Sequence, residues 1–557
     1  MRLQNDDQGL TFYDGLASPC ARRVRITLRE LGITPKVEMV DLVKGEQKSS
    51  QYLAINPWGK VPALLHQGRP IWESNVITQY LDEVFPHAGL YPREPMDYAK
   101  VRSWQEYELG FAKPYFMLMY QRVIGPMTRL TSDFDEFMSE VRQSSDDPTF
   151  IRFKELAWKG ELLTPGEEAA NVATLETVLA NIEKALSVNG AYLCGQAFSQ
   201  ADISVYPRLR MFPYLGVRIL ESKFPLTVSW MDRLEQRSSI KYSLSFADLV
   251  LSNSVAQKML GWATHVNSVP AKARTAHQRI GYRVLRALFK LDMALPDKLF
   301  RRLLPKGEMV ERGARPLKGS TSTLSADELV FYHAPLLPDS MAAQRSLACL
   351  GIAHSTVTVD TAIAEELLPQ KLPLESLGRL PALQINGQVT VVGLGAIVDY
   401  LHKRYFDVAC VYFPVDPYDR AMARIQVLGD SDGAHKYLRN AYDQYLVAAS
   451  LTADRFEQLQ INGASEAQLE RMGQAVVQEL CTDEELRGVY KYLGRHLEQV
   501  EKLLQQTEYL CGRTFGFADI AVFSRLESYR ALGFEWQGQY PLTTQWAALV
   551  EEKLNDH

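Results

Sequence analysis

Ser18, Pro19 and Cys20 stand at the entrance of CARRVRITLREL, a segment whose apolar residues recur at helical spacing. Helix starts carry unpaired N–H groups and a partial positive charge. Such a place favours anions: a hydroxyl there can donate to a thiolate, and a thiol in the first turn can itself be acidified. Ser18 also reads as an ordinary helix cap, with Pro19 fitted to the first helical position. A second helix start, Glu73-Ser74 ahead of NVITQYLDEV, offers N–H groups and a hydroxyl to a carboxylate and an acidic group to an ammonium. It too reads as a routine cap with an acidic first turn. Between the two lie Lys60, Val61 and Pro62 in GKVPAL. Ser199-x-x-Asp202 reads as a capping box, an element of folding and not of catalysis.

The elements that must position these groups follow from periodicity. LTFY reads as a strand leading into the Ser18 helix; KVEMVDL, VPALL and a hairpin turn at HQGRP come next, and SNVITQYLDEVF closes a small α/β segment. Beyond Pro92 the pattern is helical, with amphipathic stretches over Val101–Leu118, Ala173–Leu186 and Ala201–Met211. The whole layout is written twice. LTFY returns as LVFY, GKVPAL as GRLPAL, and YLCGQAFSQADISVYPRL as YLCGRTFGFADIAVFSRL, in order and about 320 residues on. The expected organisation is an α/β domain over 10–90, a helical domain over 95–250, a bridge over 251–326, a second α/β domain over 328–408 and a second helical domain over 414–557. The bridge stretch RVLRALFKLDMALPDKLFRRLLPKG is apolar on one side and basic on the other, which suits packing against neighbouring domains better than contact with a membrane surface.

Composition narrows the class. The 557 residues carry a net charge of −5, which gives no argument for nucleic acid. Six scattered cysteines show no zinc spacing, so no metal is expected and a reducing, cytoplasmic setting is. No apolar run reaches the ~20 residues of a membrane span, and the opening MRLQNDDQGL lacks the apolar core of a signal peptide.

Four motifs, SPCARRVRI, NPWGKVPAL, WESNVITQYL and FSQADI, resemble the glutathione transferase superfamily in type and order. The resemblance covers nearly all of 10–250 and, more weakly, 328–557. It implies a thioredoxin-like domain followed by an all-α domain, twice, with glutathione as co-substrate. It casts Ser18 as the residue that stabilises the glutathione thiolate. The Ser-x-Cys spacing followed by an Arg-Val-Arg-Ile run looks like the zeta class, in which the cysteine assists or is dispensable, so Cys20 is the second candidate. Val61 before a cis Pro62 would pair with the cysteinyl backbone of glutathione, Lys60 would reach the glycyl carboxylate, and Glu73 with Ser74 would hold the γ-glutamyl end. Arg22, Arg23 and Arg25 would add positive potential. The electrophile would lie among Leu16, Trp104, Tyr107, Phe111 and Tyr115, with Phe116 and Tyr120 beside them, although aromatics at helical spacing also read as core. Thr128–Glu168 is longer than a compact relative needs and would cover that pocket or bind a partner.

The second half departs where chemistry would need it. Leu337 stands at the Ser18 position, followed by Pro338 and Asp339, and Gly393 and Leu394 stand at the Glu73 and Ser74 positions. Ser340 substitutes for Ser18 only under a shifted alignment. The expected function is conjugation of glutathione to a hydrophobic electrophile by the first copy, with the second structural. A glutathione-dependent isomerase, an ether- or halide-cleaving enzyme and a non-catalytic scaffold are the alternatives. Tandem copies would pair within one chain as a pseudo-dimer.

Overall fold

The computed structural model describes residues 9–16, 18–42, 45–86, 89–144, 148–244, 275, 327–334, 337–359, 380–428, 483–531 and 534–556. The amphipathic bridge lies outside the described residues. The chain divides into two compact units, one of Met1–Leu90 with Phe111–Pro316 and the other of Tyr91–Gly110 with Leu317–His557.

In the first unit β1 (Leu10–Asp14) runs parallel to β2 (Lys36–Met39) and antiparallel to β3 (Ala63–His66), which pairs with β4 (Arg69–Trp72), giving the order β2-β1-β3-β4. Phe12 stands between Val37 and Leu64, and Leu64 pairs with Ile71. Leu10, Phe12 and Asp14 alternate onto the buried face, as period-two side chains must. On that face α1 (Pro19–Glu30) packs against α3 (Ser74–Val84), and a short α2 (Ser50–Leu53) follows β2. The hairpin between β3 and β4 turns at Gln67 and Gly68, both at positive φ, which matches the twist of the strands.

The expected helix over Val101–Leu118 is broken into α4 (Pro95–Gly110) and α5 (Ala112–Met119). Pro114 has no N–H to give the Gly110 carbonyl, so the helix cannot run through. The break matters, because α4 is counted with the second unit and α5 with the first. After a π-helical turn at Tyr120–Ile124 come α6 (Gly125–Thr131), α7 (Phe134–Ser144), α8 (Pro148–Lys159), α9 (Pro165–Asn189), α10 (Gln200–Leu209), α11 (Pro225–Gln236) and α12 (Ser238–Ser243). The long stretch flagged in the sequence is thus the helical pair α7 and α8. Both α10 and α12 lie on α1 and tie the helical region to the sheet. Ser199 and Asp202 form the expected capping box at α10. Asp202 also accepts from the Leu193 N–H (3.0 Å) and the Trp230 indole (2.8 Å), and burial raises its pKa.

The second unit repeats the sheet with β5 (Leu329–His333), β6 (Ser355–Thr358), β7 (Ala382–Ile385) and β8 (Val389–Val392) in the order β6-β5-β7-β8. Its helices are α13 (Pro338–Cys349), α14 (Leu394–Arg404), α15 (Phe406–Ala409), α16 (Pro417–Leu428), α17 (Asp483–Leu504), α18 (Phe517–Ala531) and α19 (Pro541–Asn555). Asp519 reproduces the cap, accepting from Gly516, Leu510 and the Trp546 indole at 2.7–2.9 Å. Helix α4, although encoded in the first half, packs against β8 and α14 of this unit. Among the described residues no helix is long and apolar enough to cross a membrane, and no cluster of metal-ligating side chains occurs.

Candidate active site

Ser18 is the N-cap of α1, in extended backbone, and its Oγ accepts from the Ala21 N–H at 3.3 Å. Its N–H closes a tight turn onto the Gly15 carbonyl at 2.9 Å. Among the described residues the Ser18 hydroxyl has no acceptor, so the cap uses its lone pair and leaves its proton available. Gly15 brings the next element close: a Cβ there would lie 2.5 Å from Val61 Cγ2. Val61–Pro62 is cis, as expected, and Leu380–Pro381 in the second sheet is cis too. The Lys60 carbonyl is held by the Tyr52 hydroxyl and by Asn56 Nδ2, each at 2.7 Å, which fixes the backbone leading into Val61. Burial and the neighbouring Tyr13 push the Tyr52 phenol above its ordinary pKa, so it remains a donor.

Of the four arginines of α1, Arg22, Arg23 and Arg25 are buried and engaged within the fold. Arg25 pairs with buried Asp14 (3.2 Å) and donates to the Leu16 and Ser243 carbonyls. Arg23 donates to Ser74 Oγ at 3.0 Å, to Asn75 Oδ1 and to the Ser204 carbonyl at 3.3 Å. Helix α1 therefore carries Ser18 at its tip and, one turn in, the cation that orients Ser74 at the start of α3. Because Arg23 supplies a proton to Ser74 Oγ, the Ser74 hydroxyl can give its own to a ligand.

Glu73 is the most unusual residue of the site. It sits before α3 with φ 64° and ψ 111°, a region costly for a residue with a side chain. At the matching place in the second copy, Gly393 has φ 85° and ψ 147°. The same bend recurs, but only the first copy imposes it on a glutamate.

Cys20 lies in the first turn of α1 with its Sγ 3.6 Å from Arg208 Nη2. Arg208 is buried and stands 5.4 Å over the Tyr115 ring. Sequence reasoning missed Arg208, Tyr52 and Asn56, and gave Arg23 a diffuse positive potential without its bond to Ser74. The signal for Arg208 was available in the repeat, since VYPRL and VFSRL keep the arginine.

The five residues named for the electrophile are divided between the two units. Trp104 and Tyr107 belong to the second unit, as a T-shaped pair 5.0 Å apart. In the first unit Phe111 is fully buried against Phe212 (6.1 Å) and is core. Tyr115 is reached from Cys20 through Arg208, and Leu16 is half-buried in the Ser18 loop. Phe116 is 48% exposed and forms an aromatic group with Tyr120 and Phe153. A shallow cleft lies by Tyr120, Thr128, Lys154 and Trp158, between the π-helical turn and α8.

In the second copy Leu337 caps α13 with no side-chain bond. Ser340 is fully buried, whereas Ser18 is not, and its Oγ accepts from the Ala334 N–H. Asp339 pairs with Arg525 at 3.4 Å.

Comparison with known proteins places the chain in a family. The model of the glutathione S-transferase N-terminal domain matches residues 17–84, and that of the C-terminal domain matches 165–238 and again 466–553. Protein LigF of Sphingobium sp. (strain NBRC 103272 / SYK-6) is 30% identical over 233 residues, covering 39% of this chain and 85% of that protein. Glutathione S-transferase F10 of Arabidopsis thaliana is 27% identical over 42% of this chain and 98% of its own length. Glutathione S-transferase Z1 of Arabidopsis thaliana is 41% identical over 88 residues, 16% of this chain and 40% of that protein. A crystal structure described as the beta-etherase LigF is 28% identical, covers 42% of this chain and 98% of that one, and has a TM-score of 0.39. With two thioredoxin-like sheets and two matches to the C-terminal domain, the chain belongs to the glutathione S-transferase superfamily as a tandem member.

Proposed function

We propose that the first copy is a glutathione transferase in which Ser18 stabilises the glutathione thiolate. The observation that carries this is the Ser18 hydroxyl, fixed at the start of α1 by its cap bond and still holding a proton to donate. The Val61 backbone binds the cysteinyl residue, Lys60 the glycyl carboxylate, and Ser74 with Glu73 the γ-glutamyl carboxylate and ammonium. The N-terminus of α1 adds its partial charge to the sulfur. The thiolate then attacks a hydrophobic electrophile lying by Leu16 and Tyr115. Cys20 assists without carrying the reaction, and the second copy is structural and serves as an internal partner in a monomeric chain.

The test is retention on immobilised glutathione, followed by turnover of a chlorinated aromatic substrate. Ser18→Ala is expected to keep binding and lose most turnover, and Cys20→Ala to keep both. Equal turnover in Ser18→Ala and wild type would overturn the assignment. The similarity to LigF favours a second reaction of the same thiolate: attack on the carbon bearing an aryl ether, with a C–S bond formed, the C–O bond broken and a phenolate released. Release of phenol from an aryl ether, set against conjugation of the chloroarene, separates the two.

A further inference from the structure

One face of α8 gathers side chains that the proposed reaction does not use. Phe150, Lys154 and Trp158 recur at four-residue spacing with Phe153 beside them, so they share that face. It meets the π-helical turn Tyr120–Ile124 and the start of α6. Gly125 permits the approach, since a Cβ there would collide with the Ala157 carbonyl oxygen. The rings form a shelf. Tyr120 stands 4.7 Å from Phe153, edge to face, and 4.7 Å from Phe116, whose ring lies nearly parallel to that of Phe153 at 6.3 Å. Phe116 leaves 48% of its surface to solvent.

The polar groups of this shelf are short of acceptors. Lys154 Nζ lies 4.9 Å from the Tyr120 ring centroid and 5.3 Å from that of Phe150, and it donates to the Tyr120 hydroxyl at 3.2 Å. Among the described residues no carboxylate pairs with it. Its neighbour Glu155 is taken by Lys159 at 2.5 Å and by Arg152 at 3.1 Å. That single bond leaves two of the ammonium protons to give. Because the Tyr120 oxygen accepts from Lys154, the phenol can give its own proton as well. Trp158 lines the same cleft, and its indole N–H is buried with no acceptor among the described residues. The Thr128 hydroxyl, also on the lining, is turned to the Ile124 carbonyl at 2.8 Å. A half-buried cation, a phenol O–H and an indole N–H thus stand beside aromatic faces with no carboxylate of the described residues to meet them.

We propose that this shelf is a binding site for an aromatic carboxylate. The carboxylate bonds Lys154 Nζ and the Tyr120 hydroxyl, and the ring lies on Phe116 and Phe153. A charged acceptor suits the ammonium, because hydrogen bonds between ions are the stronger ones and this cation has only neutral partners in the fold. A flat aromatic body suits the shelf, because it covers the exposed Phe116 and stacks with it. An inorganic anion would meet the charge and leave the rings in water. The Trp158 N–H offers a further donor on the same lining. The site does not depend on glutathione, since neither Lys154 nor Tyr120 belongs to the set proposed to hold the tripeptide or to act on its sulfur.

The test is calorimetric titration of the full chain, free of glutathione, with 1-naphthoate, 1-naphthamide and acetate at equal ionic strength. Naphthoate is expected to bind saturably with one site per chain, naphthamide at least about tenfold more weakly, and acetate not measurably. Lys154→Met keeps an unbranched side chain against the rings and removes the charge. It should weaken naphthoate by about 10- to 100-fold and leave naphthamide unchanged. Should it fold poorly, Lys154→Gln makes the same comparison. Tyr120→Phe keeps the ring, loses the O–H and should weaken naphthoate by a smaller factor. Failure of naphthoate to saturate, equal binding of the amide or of acetate, or wild-type affinity for naphthoate in the Lys154 variant would each overturn the proposal. No glutathione enters these readouts, so lost retention on immobilised glutathione would bear on the proposed function and not on this site.

Discussion

Replacing Glu73 by glycine should make the protein more stable and a poorer binder of glutathione. At φ 64° and ψ 111° the Glu73 backbone carries a strain of about 1–3 kcal/mol. Glycine removes that strain but adds freedom to the unfolded chain, at a cost of about 0.4–1 kcal/mol. The net gain is about 1 kcal/mol, and Gly393 at φ 85° shows the relaxed form of the same bend. Against this stands the loss of a charge-assisted bond to the γ-glutamyl ammonium, worth about 1.5–3 kcal/mol, or roughly a 10- to 100-fold weaker complex. Thermal unfolding reads the first effect and titration calorimetry with glutathione the second. Glu73→Gln separates them, since it keeps the strained backbone and loses the charge: its unfolding should match wild type and its affinity should fall. If Glu73→Gly unfolds earlier than wild type, the bend is not strained. If it binds as tightly, Glu73 does not hold the ammonium.

Arg23→Met should raise KM for glutathione more than it lowers kcat, because Arg23 acts through Ser74 and not on the sulfur; a kcat loss with unchanged KM would contradict the geometry. Asp202→Ala strands two backbone N–H groups and the Trp230 indole, and should cost about 3–5 kcal/mol in denaturant unfolding. Buried His402 lies between Phe406 and Phe413; burial first, then Arg424, lower its pKa to about 4 from 6.5. The unfolded chain therefore takes the proton first: the stability linked to this residue is complete above pH 6.5 and falls by about 3 kcal/mol as the pH drops to 4, a slope that His402→Phe should remove from the difference between the two proteins. Leu337→Ser alone should give the second copy no measurable glutathione binding, checked by calorimetric stoichiometry, which should stay at one per chain.

Local pattern carried much of the fold. The strands and their hairpins could be read because side-chain alternation and the turn pairs Gln67-Gly68 and Asn386-Gly387 are local signals, and the repeat doubled each of them. The helix starts at Ser18 and Ser74 were legible for the same reason. What was hidden depends on distant contacts. Nothing in the neighbourhood of Arg23 says that it reaches Ser74, and nothing around α4 says that it packs on β8. The break at Gly110 was visible in Pro114, but amphipathic spacing ran across it and masked the signal. Phe111 illustrates the general difficulty: a core aromatic and a pocket aromatic obey the same helical spacing.

The two copies share an electrostatic seat and differ in what occupies it. In both, a buried arginine from the helix after the capping box reaches the first turn of the helix after the first strand: Arg208 to the Cys20 thiol, and Arg525 to the Asp339 carboxylate. A guanidinium beside a helix N-terminus favours an anion in either case. In the second copy that anion is a permanent carboxylate, and its charge is answered within the fold. In the first copy the same position holds a thiol, Cys20, and no carboxylate stands there. Restoring a hydroxyl at Leu337 supplies a donor but leaves the Asp339 carboxylate beside it. The distinction between the copies is thus one of charge balance as much as of missing side chains.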